Sequence, residues 1–151
     1  MPIKRLKEFL DQKGVKYVSI GHSKAFTAQE VAASAHIPGR EMAKTVMVKL
    51  DGKMAMVAAP ANRKVDMESL RRATKASRVE LASEQEFVAM FPECEVGAMP
   101  PFGNLYGLDV YVEEELAKDE NIAFNAGTHT ELIKMAYRDF ERLAQPTAFS
   151  A

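Results

Sequence analysis

Apolar residues at the start of the chain recur at helical spacing: Ile3, Leu6, Phe9 and Leu10 fall on one face behind Pro2, and Gly14 is placed to end the helix. Residues 15–20 then read as a strand. Thr27-Ala28-Gln29-Glu30 is a capping box, with a short helix expected to about Ala35. Residues 43–50 and 53–59 flank Asp51-Gly52, a dipeptide that supplies the positive backbone angles of a type I′ hairpin turn. Asp66 caps a predicted helix through Lys75, residues 78–81 suit a short strand, and Ser83-Glu84-Gln85-Glu86 is a second capping box whose helix stops near Phe91-Pro92. Residues 108–112, 121–125 and 131–135 read as further strands, and Asp139 opens a closing helix. Strands interleave with helices, yet a tight hairpin excludes a purely parallel sheet. The expected fold is α/β: one domain over residues 1–151, with a mixed, mostly antiparallel curved sheet or barrel flanked by helices.

Composition narrows the function. At 47% hydrophobic and 27% charged residues, the 151-residue chain can bury a core of its own, which excludes disorder and coiled coil. The longest apolar runs, such as residues 54–61, fall far short of the ~20 residues that span a bilayer, so no membrane contact is expected. Cys94 is the only cysteine, which rules out an internal disulfide, a multi-cysteine zinc site and a CxxC pair; a cytoplasmic location is expected. Glu93 and Glu95 disfavour its thiolate, so Cys94 does not read as a nucleophile. Neither a metal nor a cofactor is expected: His22, His36 and His129 lack ligand spacing, and Walker A, GxGxxG and GxSxG are absent. Twenty Lys and Arg against 21 Asp and Glu leave a net charge of −1, so no DNA binding is expected and any RNA contact must be a local patch.

Four features carry candidate chemistry. Alternation sets Lys44 on one face with Val46, Val48 and Leu50, so an ammonium ends an apolar stripe, where it either orients a phosphate or ester carbonyl or snorkels to water. Gly97, Ala98, Met99, Pro100, Pro101, Phe102 and Gly103 form a loop too stiff for a central strand. The N–H groups of Gly97, Ala98 and Met99 are then available to a substrate, unless the loop is only a rigid turn. Gly127, Thr128 and His129 form a late turn whose histidine is either an acid, base or binding group, or a surface residue. Arg63, Lys64, Arg71, Arg72, Lys75 and Arg78 concentrate positive charge: an RNA-backbone patch, or a solvated helix face.

Ala43-Lys44-Thr45-Val46 at a strand start, the GxxxP loop Gly97 to Pro101 followed by Phe102-Gly103, and Asn125-Ala126-Gly127-Thr128-His129 recur in one order. In this the chain resembles the YbaK-like aminoacyl-tRNA deacylases, relatives of the editing domain of bacterial prolyl-tRNA synthetases, over nearly its whole length. The resemblance implies a free-standing trans-editing enzyme that hydrolyses the ester of mischarged aminoacyl-tRNA carrying threonine, serine, alanine or cysteine, possessing no protein nucleophile and sometimes partnered by a synthetase. It implies that Lys44 holds the terminal phosphate or the polar end of the substrate, that the Gly97 to Pro101 backbone fixes the aminoacyl carbonyl, and that Gly127, Thr128 and His129 line the amino-acid side. The 125–130 turn matches neither the Asn-rich turn of alanine-specific members nor the basic glycine turn of cysteine-specific ones. The competing expectations are a module that binds tRNA or a small ligand without turnover, and an esterase on small acyl esters with Lys44 and His129 as acid and base.

Overall fold

The Asp51-Gly52 turn builds the centre of the sheet. In the computed structural model, which describes residues 3–21, 32 and 37–150, β2 (Met42–Leu50) and β3 (Lys53–Pro60) pair antiparallel from Leu50↔Lys53 to Ala43↔Pro60. Asp51 and Gly52 have φ of 51° and 85°, the conformation that the turn requires. Ahead of them come α1 (Lys4–Gln12) and β1 (Tyr17–Gly21). The helix expected from Thr27, apart from Ala32, lies outside the described residues, as do His22 and His36.

After β3 follow α2 (Met67–Thr74), β4 (Val79–Leu81), α3 (Glu84–Phe87), β5 (Val110–Glu113), α4 (Glu114–Ala117), β6 (Asn121–Thr128), β7 (Glu131–Ala136), α5 (Tyr137–Ala144) and β8 (Thr147–Phe149). The strand order is β1-β7-β6-β2-β3-β5-β8, with β4 on β2. Four pairings are antiparallel and three, β2–β6, β3–β5 and β5–β8, are parallel. The result is a mixed, mostly antiparallel curved half-barrel flanked by helices.

Local chemistry sets the helix ends. Asp66 Oδ1 accepts from the Glu68 and Ser69 N–H groups at 3.1 Å each, and Lys75 closes α2 in the left-handed region. The Ser83 N–H donates to Glu86 Oε1 at 2.8 Å, as the capping box predicts. That helix is one turn long and continues as a 3₁₀ turn, Val88–Met90. The closing helix begins at Tyr137 rather than Asp139; β8, α4 and the 3₁₀ turn Gly103–Tyr106 have no counterpart in the sequence pattern. Elements of three or four residues are too short to show a period.

Strand alternation gives the sheet two apolar faces. One carries Met47, Met56, Ala58, Val112, Phe124, Ile133 and Met135 against Leu6, Leu10, Phe102 and Phe140. Phe102 is its centre, with edge-on contacts to Phe9, Phe124 and Phe140 at 5.8, 5.5 and 5.3 Å. The opposite face carries Met42, Ala61, Ala123 and Leu132, then Val48, Ala55, Val57, Ala59, Leu70 and Phe149. Lys44 belongs to this second face.

Candidate functional site

The edge of β2 away from β3 is divided between two strands. β6 pairs with it only at Met42 and Ala43, β4 only from Val48 to Leu50, and Met47 O accepts from the Ala82 N–H at 3.0 Å. Even-numbered β2 residues bond β3, as the Leu50↔Lys53 turn pair fixes, so odd-numbered ones point to this divided edge. Thr45 therefore turns its N–H and C=O into an opening where β6 has parted from β2 and β4 has not begun.

Lys44 stands beside that opening. Its register partner on β3 is Ala59; one step beyond Ala43↔Phe124 is Asn125, and one step beyond Ala58↔Val112 is Glu113, itself paired with Phe149. Asn125, Lys44, Ala59, Glu113 and Phe149 thus form one row on the second face. The turn after β3 folds over this row: the Arg63 N–H donates to Pro60 O at 3.2 Å, the Lys44 ammonium donates to the Arg63 carbonyl, and Arg63 Nη1 lies 3.2 Å from Glu113 Oε1. Glu113 is fully buried. Desolvation pushes its carboxyl above the usual range, opposed by Arg63 and Lys44. Desolvation likewise lowers the Lys44 ammonium from its ordinary value, with Glu113 opposing the shift and Lys64 adding to it. Lys44 is thus a half-buried cation held by a carbonyl and faced by a buried carboxylate, not a side chain snorkelling into water.

The 97–103 loop is fastened to β6. β6 and β7 lose register between Asn125 and Thr128, and the freed backbone takes other partners. Ala126 O accepts from the Ile3 N–H at 3.0 Å, the Gly127 N–H donates to Ala98 O at 2.9 Å, and Gly127 O accepts from the Glu95 N–H at 2.8 Å. Within the loop the Ala98 N–H donates to Glu95 O at 3.0 Å, closing a turn whose third residue, Gly97, has φ +84°. His129 Nε2 donates to Val96 O at 2.6 Å, so the imidazole braces this turn from below.

These contacts correct the expected set of donors. The Ala98 N–H is used inside the turn and Met99 is buried, leaving Gly97 as the exposed donor of the three. Pro100, Pro101, Phe102 and Gly103 are also buried. A Cβ on Gly103 would lie 2.8 Å from Leu108 O and from Val110 Cγ2, which is a packing reason for glycine there. Gly127 is buried, while Thr128 is half-exposed with its hydroxyl 3.5 Å from that of Thr130.

The basic run separates into paired and unpaired charges. Arg71 makes a two-pronged contact with Glu68 and Arg78 lies 3.1 Å from Glu80, while Arg63 belongs to the Lys44 row. Lys64, Arg72 and Lys75 have no carboxylate within salt-bridge distance among the described residues, although Arg72 acts on Asp66 and Glu68 from farther off. Burial pushes the Cys94 thiol up, with Glu93 adding to the shift and the Tyr106 hydroxyl at 3.7 Å opposing it. Sequence reasoning did not single out Glu113 or the Thr45 edge: Glu113 opens an acidic run that reads as surface, and the edge depends on which strands abut β2.

Fold and site together define a curved α/β half-barrel with a partly desolvated lysine beside an opening in its sheet and a glycine-tipped loop fastened to β6. Two solved structures share the fold: one of a hypothetical protein, with a TM-score of 0.83 at 18% identity over 97% of both chains, and one of a candidate trans-editing enzyme for prolyl tRNA synthetase, with a TM-score of 0.80 at 18% identity over 96% of this chain and 92% of that one. The chain is 27% identical to a proline–tRNA ligase of Bacillus mycoides (strain KBAB4) over 110 residues, 73% of this chain and 19% of the ligase. It is 29% identical to that of Streptomyces coelicolor (strain ATCC BAA-471 / A3(2) / M145) over 118 residues, 76% of this chain and 20% of the ligase. It thus spans about a fifth of the length of these ligases. The profile of the aminoacyl-tRNA editing domain matches residues 22–143, and the chain belongs to that family.

Proposed function

We propose that this protein is an aminoacyl-tRNA deacylase that acts in trans, hydrolysing the ester between a wrongly attached small amino acid (threonine, serine, alanine or cysteine) and tRNA. Water adds to the ester carbonyl, the acyl carbon–oxygen bond breaks, the ribose oxygen takes a proton, and the amino acid leaves as its carboxylate. The observation that carries the reading is Lys44, half-buried opposite Glu113 and next to the Thr45 edge. Its ammonium binds the terminal phosphate or the charge developing on the carbonyl oxygen. Family membership and the trans-editing structural neighbour support the same reaction.

Such an enzyme meets a physical need. A methylene is worth only ~1 to 3 kcal/mol in a binding pocket, so a synthetase needs a second sieve for near-isosteric amino acids. The substrate partner is aminoacyl-tRNA, delivered free or by a synthetase. Among the described residues no helix is long and apolar enough to cross a membrane. Lys44→Ala is expected to lower deacylation of mischarged tRNA by about 10²–10³-fold while the circular dichroism spectrum still reports a folded domain. An unchanged rate removes Lys44 from the reaction. Turnover of simple amino-acid esters at the tRNA rate would instead make the protein a small-ester hydrolase.

A further inference from the structure

We propose that tRNA phosphates are held not by the Arg63 to Arg78 run but by a second basic groove, formed where the segment entering β1 meets the end of β7 and α5; this rests on the editing function proposed above. Lys16, Lys134, Arg138 and Arg142 line the groove, with Asp139 as its one carboxylate and Asn121 on its floor. Arg142 lies 3.4 Å from Asp139. Lys16, Lys134 and Arg138 have no carboxylate within salt-bridge distance among the described residues. In the Arg63 to Arg78 run three of six cations are paired with Glu113, Glu68 and Glu80 and Arg72 lies in the field of Asp66 and Glu68, whereas in the groove one of four is paired. A cation without a carboxylate is the one that can release counterions from a phosphate backbone. The adjoining hollow on the other side of Arg138 is lined by Asp119, Glu120 and Glu141, so the field is one-sided and an RNA strand is confined to the groove.

The register ties this groove to Lys44. Lys134 faces Val18 on β1 and Ala123 on β6, and Ala123 faces Met42 on β2, so these residues share one row of the second face. The next row along that face holds Leu132, Asn125 and Lys44. Lys134 and Lys44 are therefore two residues apart along the strands and two strands apart across them, roughly 12 Å along the sheet. Between them Met42, Ala123 and Leu132 are buried against Ala32, Ile37 and Ala61, so an acceptor strand with its phosphates in the groove reaches Lys44 around this cover rather than across the sheet.

The test uses a fluorescently labelled tRNA acceptor minihelix, with binding followed by anisotropy across a salt series. A Lys16→Gln/Lys134→Gln/Arg138→Gln variant is expected to bind at least about tenfold more weakly and to lose about three from the magnitude of the salt slope. Its KM for mischarged tRNA rises while kcat at saturation holds. A charge-keeping Lys16→Arg/Lys134→Arg/Arg138→Lys variant retains the parental affinity, and Arg71→Gln/Arg72→Gln/Lys75→Gln changes it less than threefold. Parental affinity in the first variant, or a loss confined to the Arg71/Arg72/Lys75 variant, overturns the groove. Failure of the editing reading is a separate result: parental protein that binds the minihelix through the groove but releases no amino acid keeps the groove and rejects the deacylase.

Discussion

Two opposite charges at Lys44 and Glu113 share a row from which water is largely withdrawn, so each sets the proton affinity of the other. Desolvation lowers the Lys44 ammonium and the Glu113 carboxylate resists that fall. Replacing Glu113 by Gln removes the resisting charge, so the Lys44 proton is lost more easily. The basic limb of the pH–rate profile, corrected for spontaneous ester hydrolysis, is expected to move to lower pH in Glu113→Gln. A merely structural Glu113 would reduce the rate evenly across pH. Asp119 tests the same physics away from the site: burial first, and Glu41 second, raise its carboxyl from 3.8 to about 6, against Arg40. A carboxyl whose folded value lies above its unfolded one stabilises the fold below the unfolded value, and that stability is lost as pH rises through the folded one. Asp119→Asn is therefore expected to raise Tm at pH 8 and to leave it unchanged near pH 3, as a thermal melt series would show. Lys44 was legible in the sequence because strand alternation assigns its face. Glu113 was not, since nothing in Glu113-Glu114-Glu115 says which carboxylate the end of β5 turns inward.

At the scale of elements, the interruption of β6 holds the candidate loop in place. Gly127 sits at φ +96°, and a Cβ there would lie 2.3 Å from Ile3 Cγ2, so neither its conformation nor its space admits a side chain. Gly127→Ala is expected to cost about 2–4 kcal/mol in urea unfolding, from left-handed strain and overpacking together. Ile3→Ala in the same chain relieves the clash but not the strain, so the two changes should be non-additive, with a coupling of about 1–2 kcal/mol. Additive losses would mean that Ile3 and Gly127 do not press on each other. The loop's stiffness was readable from its two prolines and two glycines. Its anchoring was not, because the hydrogen bonds of Glu95 and Ala98 to Gly127 join segments about thirty residues apart. His129 shows the same division: the turn that carries it is visible, while its bond to Val96 O is a tertiary fact. His129→Ala loosens that turn and is expected to reorder the preference among mischarged tRNAs more than it lowers the rate on the best one.

For the molecule as a whole, two of the four antiparallel pairings are local hairpins, while β1–β7, β2–β4 and all three parallel pairings are not. The β2–β3 and β6–β7 hairpins follow from turns, whereas β2–β6, β3–β5 and β5–β8 join strands distant in sequence through pairings that no short pattern encodes. Those three pairings are what place Asn125, Lys44, Glu113 and Phe149 in one row, so the chemistry depends on the least legible part of the fold. Phe149 closes that row from the edge strand β8 and is 3% exposed. Its truncation separates support from chemistry. Phe149→Ala is expected to cost about 3–5 kcal/mol of stability, read as a lower urea midpoint. Lys44 and Glu113 keep each other as neighbours, so the basic limb of the pH–rate profile should stay within a few tenths of a unit of the parent, while activity falls only with the folded fraction. A limb displaced as far as in Glu113→Gln would show instead that Phe149 maintains the dry surroundings on which the Lys44 proton depends, and the row would then act as one unit from β6 to β8.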